Sequence, residues 1–184
     1  PETTPDGQGQ LDNLPLGLIQ SLTVLRGPAS SFYGNASGGV IQINTLEDFK
    51  DNFVRLRAQG GSYSGQNLSA TVGWKKNKTK AVFYQNLSES KGYRNHSQYK
   101  QQVFNARVWH DLSESSQIRW QFNYTHSPYA YDAGGINLDM VEENRKQARP
   151  QNESFQTYET VDHLKTALQW EKQISDKLRL DSYA

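Results

Sequence analysis

The sequence predicts an all-β protein built from antiparallel strands. Apolar and polar residues alternate with a period of two through most of the chain beyond residue 50, and turn-forming residues separate the alternating segments. Of the 184 residues 35% are hydrophobic, and no stretch approaches the roughly 18 consecutive apolar residues of a membrane-spanning helix. Aromatic residues reach 11%, so the chain has apolar surface to bury and is not expected to be disordered.

Charge and residue usage exclude several classes of function. The net charge of +1 gives no electrostatic argument for binding nucleic acid. The absence of cysteine excludes a disulfide framework and a cysteine metal site. The histidines have no ligand spacing that would predict a metal centre; they are His96, His110, His126 and His163. Because no nucleophile elbow or phosphate loop is present either, we expect no enzyme and no cofactor.

The segment from Ile19 to Thr45 predicts a β-hairpin with an unusual connection. Leu22 and Val24 alternate with polar neighbours, and Ile41 and Ile43 do the same farther along the chain. Glycine and proline between these strands permit tight bends that would strain most residues. We therefore expect two short strands joined by a turn and a small-residue segment.

Longer strands are predicted after this hairpin. The apolar positions of successive strands are Val54, Leu56 and Ala58; Leu68, Ala70, Val72 and Trp74; Phe104, Ala106 and Val108; Ile118, Trp120, Phe122 and Tyr124; Leu164, Leu168 and Trp170; and Leu178 and Leu180. The segment from Ala81 to Leu87 leaves its register open, because Val82 and Tyr84 compete with Ala81 and Phe83 for the apolar face. Such segments of about ten alternating residues are typical of a transmembrane β-barrel.

Connection lengths predict which ends of the strands face which side of a membrane. Short polar turns at 75–79, 111–116 and 173–177 alternate with a longer connection at 92–100 and a very long one at 126–162. In outer-membrane barrels short turns face the periplasm and long loops face outside. The tryptophans all fall beside the short turns and would form part of a periplasmic aromatic girdle; they are Trp74, Trp109, Trp120 and Trp170. The alternative is core packing in a soluble β-sandwich.

Three motifs near the N-terminus carry a family resemblance. They are Val24-Leu25-Arg26-Gly27-Pro28, Phe32-Tyr33-Gly34 and Gly38-Gly39-Val40-Ile41-Gln42-Ile43. In this order and spacing they resemble the signature that closes the plug domain of TonB-dependent outer-membrane receptors. The resemblance implies that residues 1–47 are the C-terminal part of a plug and that 48–184 are the first strands of an antiparallel transmembrane barrel of about 22 strands.

The resemblance also implies a function and a set of partners. A receptor of the siderophore type would import a ferric siderophore or similar chelate across the cell outer membrane of a Gram-negative bacterium. It would contact outer-membrane lipid and lipopolysaccharide. The TonB complex would act through a segment that precedes Pro1, and a signal peptide would precede that segment. Cobalamin, haem or an oligosaccharide are alternative cargoes, and a soluble β-sandwich that binds carbohydrate or mediates adhesion is the alternative architecture.

Candidate site residues follow from the same resemblance. The family arginine that matches Arg26 pairs with barrel glutamates and locks the plug, whereas the alternative for Arg26 is a solvated turn residue of little energetic value. The family aromatic pair that matches Phe32 and Tyr33 reaches the chelate, and the alternative is a role in the plug's own core. The hydroxyl group of Tyr33 suits an amphipathic ligand.

The long connection from His126 to Asp162 supplies the remaining candidates. A loop of this length is generally functional or disordered. Tyr129 and Tyr131 offer aromatic surface, and Arg145 and Arg149 offer positive charge for an anionic ferric chelate. The run from 145 to 152 also resembles a stretch of ferric-siderophore and ferric-citrate receptors. The alternatives for the basic residues are a solvated face and contact with lipopolysaccharide phosphates.

Overall fold

A computed structural model describes residues 2–3, 9–10, 14–28, 30–33 and 38–184. Its strands are β1 Glu2–Thr3, β2 Gly9–Gln10, β3 Ile19–Arg26, β4 Gly39–Thr45, β5 Phe53–Gly61, β6 Gly65–Lys76, β7 Thr79–Ser90, β8 Tyr99–Ser113, β9 Ser116–Tyr131, β10 Tyr158–Ser175 and β11 Leu178–Tyr183. A 3-10 turn spans Leu16–Leu18, and the helices are α1 Ser30–Tyr33, α2 Leu138–Asn144 and α3 Pro150–Ser154. No helix in these described ranges is long and apolar enough to cross a membrane.

The main sheet is a seven-stranded antiparallel meander in which β5 to β11 each pair with the next strand along the chain. Two smaller two-stranded sheets join β1 to β2 and β3 to β4. The predicted all-β fold with antiparallel strands is confirmed, and the expected hairpin is β3–β4, with Val24 opposite Ile41. Strand pairing thus follows chain order throughout the large sheet, as short connections between antiparallel neighbours require.

The pairing register settles which residues of β7 share a face. Phe83 lies opposite Val72 of β6 and Ala106 of β8. Because directly opposed residues of an antiparallel pair point to the same side, Phe83 belongs with the apolar positions predicted from the sequence. Val82 and Tyr84 therefore point to the other side of the sheet. The competition that the sequence left open is resolved by the neighbouring strands.

The two sides of the sheet differ in composition and exposure. The apolar face carries the alternating residues predicted from the sequence, and several of them are open to the surroundings, including Leu56 at 76% and Leu164 at 61%. We call the opposite side the covered face and define it by Tyr84, Asn105 and Arg107, which the register aligns across β7 and β8. Large apolar side chains on an open surface indicate that another apolar phase or partner covers them.

The covered face takes its name from the segment that precedes the large sheet. Leu18 packs in a buried cluster with Val82, Tyr84, Val103 and Trp109, and Leu46 and Phe49 pack against this cluster. The Leu46 amide donates to the Leu18 carbonyl at 2.7 Å, so the two ends of the β3–β4 hairpin are joined at the contact. Burial of these apolar side chains makes residues 16–18 and 45–49 the attachment of the hairpin to the sheet.

Gly17 allows this close approach. A Cβ atom at residue 17 would lie 2.4 Å from the Tyr84 ring, well inside the contact distance of real side chains. A second polar contact lies nearby, where the Arg107 guanidinium donates a short hydrogen bond to the Thr45 hydroxyl. The hairpin itself extends away from the contact, because Leu22, Val24 and Ile41 remain more than half exposed.

Trp109 corrects one prediction about the aromatic girdle. Trp74 and Trp120 are 41% and 38% exposed and lie on the apolar face, as predicted. Trp109 is 7% exposed and lies on the covered face, where the Lys80 ammonium sits 4.8 Å from its ring centroid. Its position near a short turn suggested the girdle, but Trp109 follows Arg107 by two residues and shares that face.

The long connection is the second correction. The loop predicted from His126 to Asp162 is shorter, because β9 continues to Tyr131 and β10 begins at Tyr158. A register shift between Glu159 and Val161 lets these strands keep pairing beyond the end of the apolar alternation. Backbone hydrogen bonds sustain a strand without an apolar side-chain pattern, so the pattern marked where the apolar face ends and not where the strand ends.

Candidate functional site

The ends of β7 to β10 opposite the short turns carry two loops that pack on each other. The first, residues 91–98, joins β7 to β8, and the second, residues 132–157, joins β9 to β10 and contains α2 and α3. We call them the short loop and the long loop.

Arg94 of the short loop makes the main side-chain contact with the long loop. Its Nε atom donates to the Gln147 carbonyl at 2.9 Å, Nη1 to the Gly134 carbonyl at 2.6 Å, and Nη2 to the Ala133 carbonyl at 3.1 Å. The guanidinium fork thereby reaches residues on both sides of α2. Hydrogen bonds from a charged donor are stronger than bonds between neutral groups, so this contact favours one arrangement of the two loops.

Neighbours of Arg94 extend the contact. The Asn95 amide donates to the Lys146 carbonyl at 2.7 Å, and a ring nitrogen of His96 lies 3.0 Å from the Thr157 carbonyl. The His96 ring also meets Tyr131 edge-on, with ring centroids 4.7 Å apart. Three consecutive residues of the short loop therefore hold the long loop at its middle and at its end.

The long loop has internal contacts that make it compact. Asn137 caps α2, because its side chain accepts from the Met140 amide at 2.9 Å. The Asn152 side-chain amide donates to the Asp132 carboxylate at 3.0 Å and so closes the base of the loop. The long loop is therefore a folded unit. Of the two possibilities predicted from its length, a functional loop and a disordered loop, the structure disagrees with the disordered one.

Aromatic residues lie where the strands enter the long loop. Tyr131 is 5.7 Å from Tyr129 and 5.4 Å from Tyr158, measured between ring centroids. The structure places Tyr129 and Tyr131 in β9 and not in the loop that the sequence predicted. Rings held by a strand are better fixed than rings on a loop, so the cluster offers a rigid aromatic surface.

A cavity of about 520 Å³ lies beside Tyr131. Hydroxyl groups, one amide and one carboxylate line it together with apolar surface: Ser88, Ser97, Tyr99, Gln101, Thr125, Ser127, Ala130, Tyr131, Glu159 and Val161. Thr125 and Ser127 are only 4% and 5% exposed. Such a lining can donate to and accept from a polar ligand.

The predicted basic residues lie elsewhere on the long loop. Arg145 forms the C-cap of α2 and Arg149 the N-cap of α3, and both side chains are exposed. The Nε atom of Arg149 donates to the Gln151 side chain at 3.3 Å. Neither arginine lines the cavity at Tyr131. The structure therefore brings Tyr129 and Tyr131 together and leaves Arg145 and Arg149 on the loop surface.

The predicted plug residues are exposed. Phe32 and Tyr33 lie in α1 and are 87% and 50% exposed. Gly34 of the same motif is outside the described residues. Arg26 ends β3 and is exposed, and its backbone pairs with that of Gly39. Within the described part of the chain neither an ion pair at Arg26 nor a ring contact of Phe32 or Tyr33 is present, so their roles stay predictions.

A charged cluster lies at the opposite ends of the strands, near the short turns. The Glu171 carboxylate is 3.2 Å from an Arg119 nitrogen and 3.1 Å from an Arg179 nitrogen. Arg179 also contacts the Asp181 carboxylate at 3.0 Å. Each charged side chain in this cluster is paired with one of opposite charge. The pairs join β9, β10 and β11, which indicates a structural role for the cluster and not ligand binding.

Sequence reasoning assigned no protein partner to Arg94 and no role to Arg107. Arg94 acts through backbone carbonyls, and any residue supplies a carbonyl, so no residue type in the long loop marked the contact. Arg107 lies under the hairpin base, which follows only from the tertiary fold. No group of three or more histidine, aspartate or glutamate residues that could hold a metal ion occurs among the described residues.

No protein-family model matches the chain. The structure is similar to the crystal structure of the siderophore receptor PiuA from Acinetobacter baumannii, with a TM-score of 0.66 and 13% sequence identity. The match covers 90% of this chain and 25% of that chain, so this chain spans about a quarter of the length of the receptor it resembles. The likeness shows a common fold.

Proposed function

We propose that the chain is part of a TonB-dependent receptor that imports a ferric siderophore across the outer membrane of a Gram-negative bacterium. The observation that carries the proposal is the arrangement of the large sheet, which has an open apolar face and an opposite face on which the preceding segment is docked. The fold shared with a siderophore receptor supports it. Residues 1–47 are then the end of the plug, and 48–184 are the first strands of a barrel of about 22 strands.

The apolar face fits contact with membrane lipid. Leu56 and Leu164 stay largely exposed in the described part of the chain, as expected if lipid tails cover them. Trp74 and Trp120 lie on the same face toward the short turns, at the depth where indole rings favour the membrane interface. A soluble β-sandwich would need a second sheet packed on this face, and the exposure of these side chains disfavours it.

The covered face fits the inside of a barrel closed by a plug. The Leu18 cluster attaches the base of the hairpin to the wall, while β3 and β4 project from it. In this reading Arg26 pairs with glutamates of barrel strands that lie beyond this chain, and the TonB complex pulls on an earlier part of the plug. Transport requires a plug that is held firmly at rest and released by that pull.

Ligand recognition belongs to the outer loops and the plug surface that faces them. Tyr131 gives rigid aromatic surface at the cavity, the ring of Tyr129 lies 5.7 Å from that of Tyr131, and Arg145 and Arg149 give positive charge for a ferric chelate. Phe32 and Tyr33 are exposed enough to meet a ligand from the plug side. Iron arrives already chelated, so the proposal needs no metal ligands from the protein.

The test is uptake of radioactive iron by cells that express the complete parent protein. We expect uptake of at least one of three ferric chelates, of the hydroxamate, catecholate or citrate class, and loss of that uptake in cells without TonB. The double variant Arg145→Gln with Arg149→Gln should weaken binding, whereas Lys78→Gln, which removes the same type of charge from a short turn, should not. Binding of cobalamin, haem or an oligosaccharide without any ferric chelate would contradict the proposal.

A further inference from the structure

We infer that Arg94 is a positioning residue that fixes the long loop for ligand capture, an inference that rests on the proposed function. Arg94 joins the two loops through three backbone carbonyls, those of Gln147, Gly134 and Ala133. Among the described residues its guanidinium forms no hydrogen bond or ion pair with a predicted ligand-binding side chain. It acts through the path of the loop that carries Arg145 and Arg149.

The geometry requires arginine at this position. The three acceptors lie on two separate stretches of the long loop, one before α2 and one after it, and each is within 3.1 Å of a different guanidinium nitrogen. Only a planar fork with several fixed donors reaches such a set at once. A lysine has a single ammonium group on a flexible stem and would satisfy part of the set. The Arg94 side chain therefore links the residues that precede α2 to those that follow it, and we call this link the brace.

Internal contacts of the long loop do not replace this brace. Asn137 caps α2 within the loop, and Asn152 closes the loop base at Asp132. Both contacts stabilise the loop as a unit, but neither ties it to the short loop. Without Arg94, the Gly134 and Gln147 carbonyls lose their charged donor, and the Ala133 carbonyl keeps only the Arg149 amide at 2.7 Å. The connection between the two loops then relies on Asn95 and His96. Local opening should then become easier while the strands stay intact.

The local sequence of the short loop supports the brace. The Ser97 hydroxyl donates to the Arg94 carbonyl at 2.5 Å, which closes a tight turn around the arginine. Gly92 has a φ of 76°, and a Cβ atom there would lie 2.1 Å from the Ser97 hydroxyl oxygen. The turn thus needs glycine at 92, and it directs the Arg94 side chain toward the long loop.

Charge gives the brace a second effect. The Arg94 acceptors are neutral carbonyls, and no carboxylate within the described part of the chain forms an ion pair with it. The long loop itself carries five carboxylates, Asp132, Asp139, Glu142, Glu143 and Glu153, against the three cations Arg145, Lys146 and Arg149, so the positive charge of Arg94 offsets part of a net negative charge. The loss of Arg94 would remove both order and a positive charge that offsets the negative charge of the long loop.

The experiment compares Arg94→Gln and Arg94→Lys with the matched control Lys91→Gln in the complete parent protein. Lys91 belongs to the same loop, is exposed and has the same charge. The first readout is amide hydrogen exchange in residues 132–157 without ligand. We expect at least roughly tenfold faster exchange in Arg94→Gln, an intermediate effect in Arg94→Lys, and wild-type exchange in Lys91→Gln.

The second readout is iron uptake as a function of ferric chelate concentration. A positioning role predicts a half-saturating concentration raised roughly tenfold with an unchanged maximal rate, and partial recovery in Arg94→Lys. A general folding defect would instead lower the maximal rate through the number of receptors in the membrane.

The two readouts separate this inference from the proposed function. Wild-type exchange in Arg94→Gln overturns the inference, and so does faster exchange with unchanged half-saturation. If the wild-type parent takes up no ferric chelate, the proposed function fails, and ligand-free exchange still decides whether Arg94 orders the loop.

Discussion

Replacing Leu18 with alanine should release the base of the β3–β4 hairpin from the covered face. Leu18 is 2% exposed and its cluster contains Val82, Tyr84, Val103 and Trp109. Truncating a buried leucine to alanine costs about 2–5 kcal/mol, because transfer free energy is lost and a cavity remains. The rings of Tyr84 and Trp109 are held by strands and cannot collapse into the space. We therefore expect a cost of about 3 kcal/mol.

The assay is hydrogen exchange at the amide of Leu46 in the complete parent protein. This amide donates to the Leu18 carbonyl at 2.7 Å, so it becomes exposed when the base of the hairpin separates from the covered face. A cost of about 3 kcal/mol corresponds to roughly 150-fold faster exchange through local opening. The strands β6 to β9 should keep their protection, because the substitution leaves their backbone pairing intact.

Leu16 provides the matched control. It lies in the same 3-10 turn and is 69% exposed, so Leu16→Ala removes little buried surface and should cost less than about 1 kcal/mol. Equal exchange at Leu46 in the two variants would refute the account of the attachment. Faster exchange across the whole sheet in Leu18→Ala would refute it as well, because the hairpin base would then not be a separate unit.

Two further predictions concern the base of the β3–β4 hairpin. Gly17→Ala should lower stability by about 1–3 kcal/mol, because its Cβ atom would meet the buried Tyr84 ring, and differential scanning calorimetry measures the loss. The hydrogen bond and charge of Lys80 hold the pKa of Asp48 below its ordinary value of 3.8. The stabilisation from this pair is therefore fully present above pH 3.8 and is lost as the pH falls through the lowered pKa of Asp48. Asp48→Asn should consequently flatten the pH dependence of the melting temperature below about pH 4.

Each of these predictions has a control in the chain. A Cβ atom at Gly60 would meet nothing within 4 Å, so Gly60→Ala should change stability by less than about 0.5 kcal/mol. Asp51→Asn removes the same charge from an exposed neighbour of Asp48 and should keep the wild-type pH dependence. A loss at Gly60 equal to that at Gly17, or flattening by Asp51→Asn, would contradict the contacts described above.

The sequence predicted the strands and their apolar face well, because a period of two reports directly which residues share a face. The alternation around Phe122 and Leu164 identified the apolar face, and the structure keeps these residues together across β9 and β10. The register of β7 could not be read from its own residues, since Val82 and Phe83 are both apolar. Only pairing with β6 and β8 decides it.

The sequence predicted less of the candidate site, for three physical reasons. Trp109 was assigned by its position along the strand and not by the alternation that sets its face, and its burial depends on the attachment of Leu18. Tyr129 and Tyr131 were assigned to a loop because apolar alternation ends before the backbone pairing does. Arg94 binds carbonyls, which every residue carries, so no sequence pattern reveals its partners. Contacts with backbone atoms, and contacts between segments distant in the sequence, are determined by the tertiary fold. The types of neighbouring residues therefore do not predict them.

The central proposal is that this sheet is part of a closed barrel in the outer membrane with the hairpin segment inside. The most direct measurement is the electrophoretic mobility of the parent polypeptide from the outer-membrane fraction, with and without heating in detergent. The account predicts a polypeptide much larger than the 20.9 kDa of this sequence, with a mobility that shifts on heating as the barrel unfolds. A stable, water-soluble species of 20.9 kDa with no heat-dependent shift would contradict it.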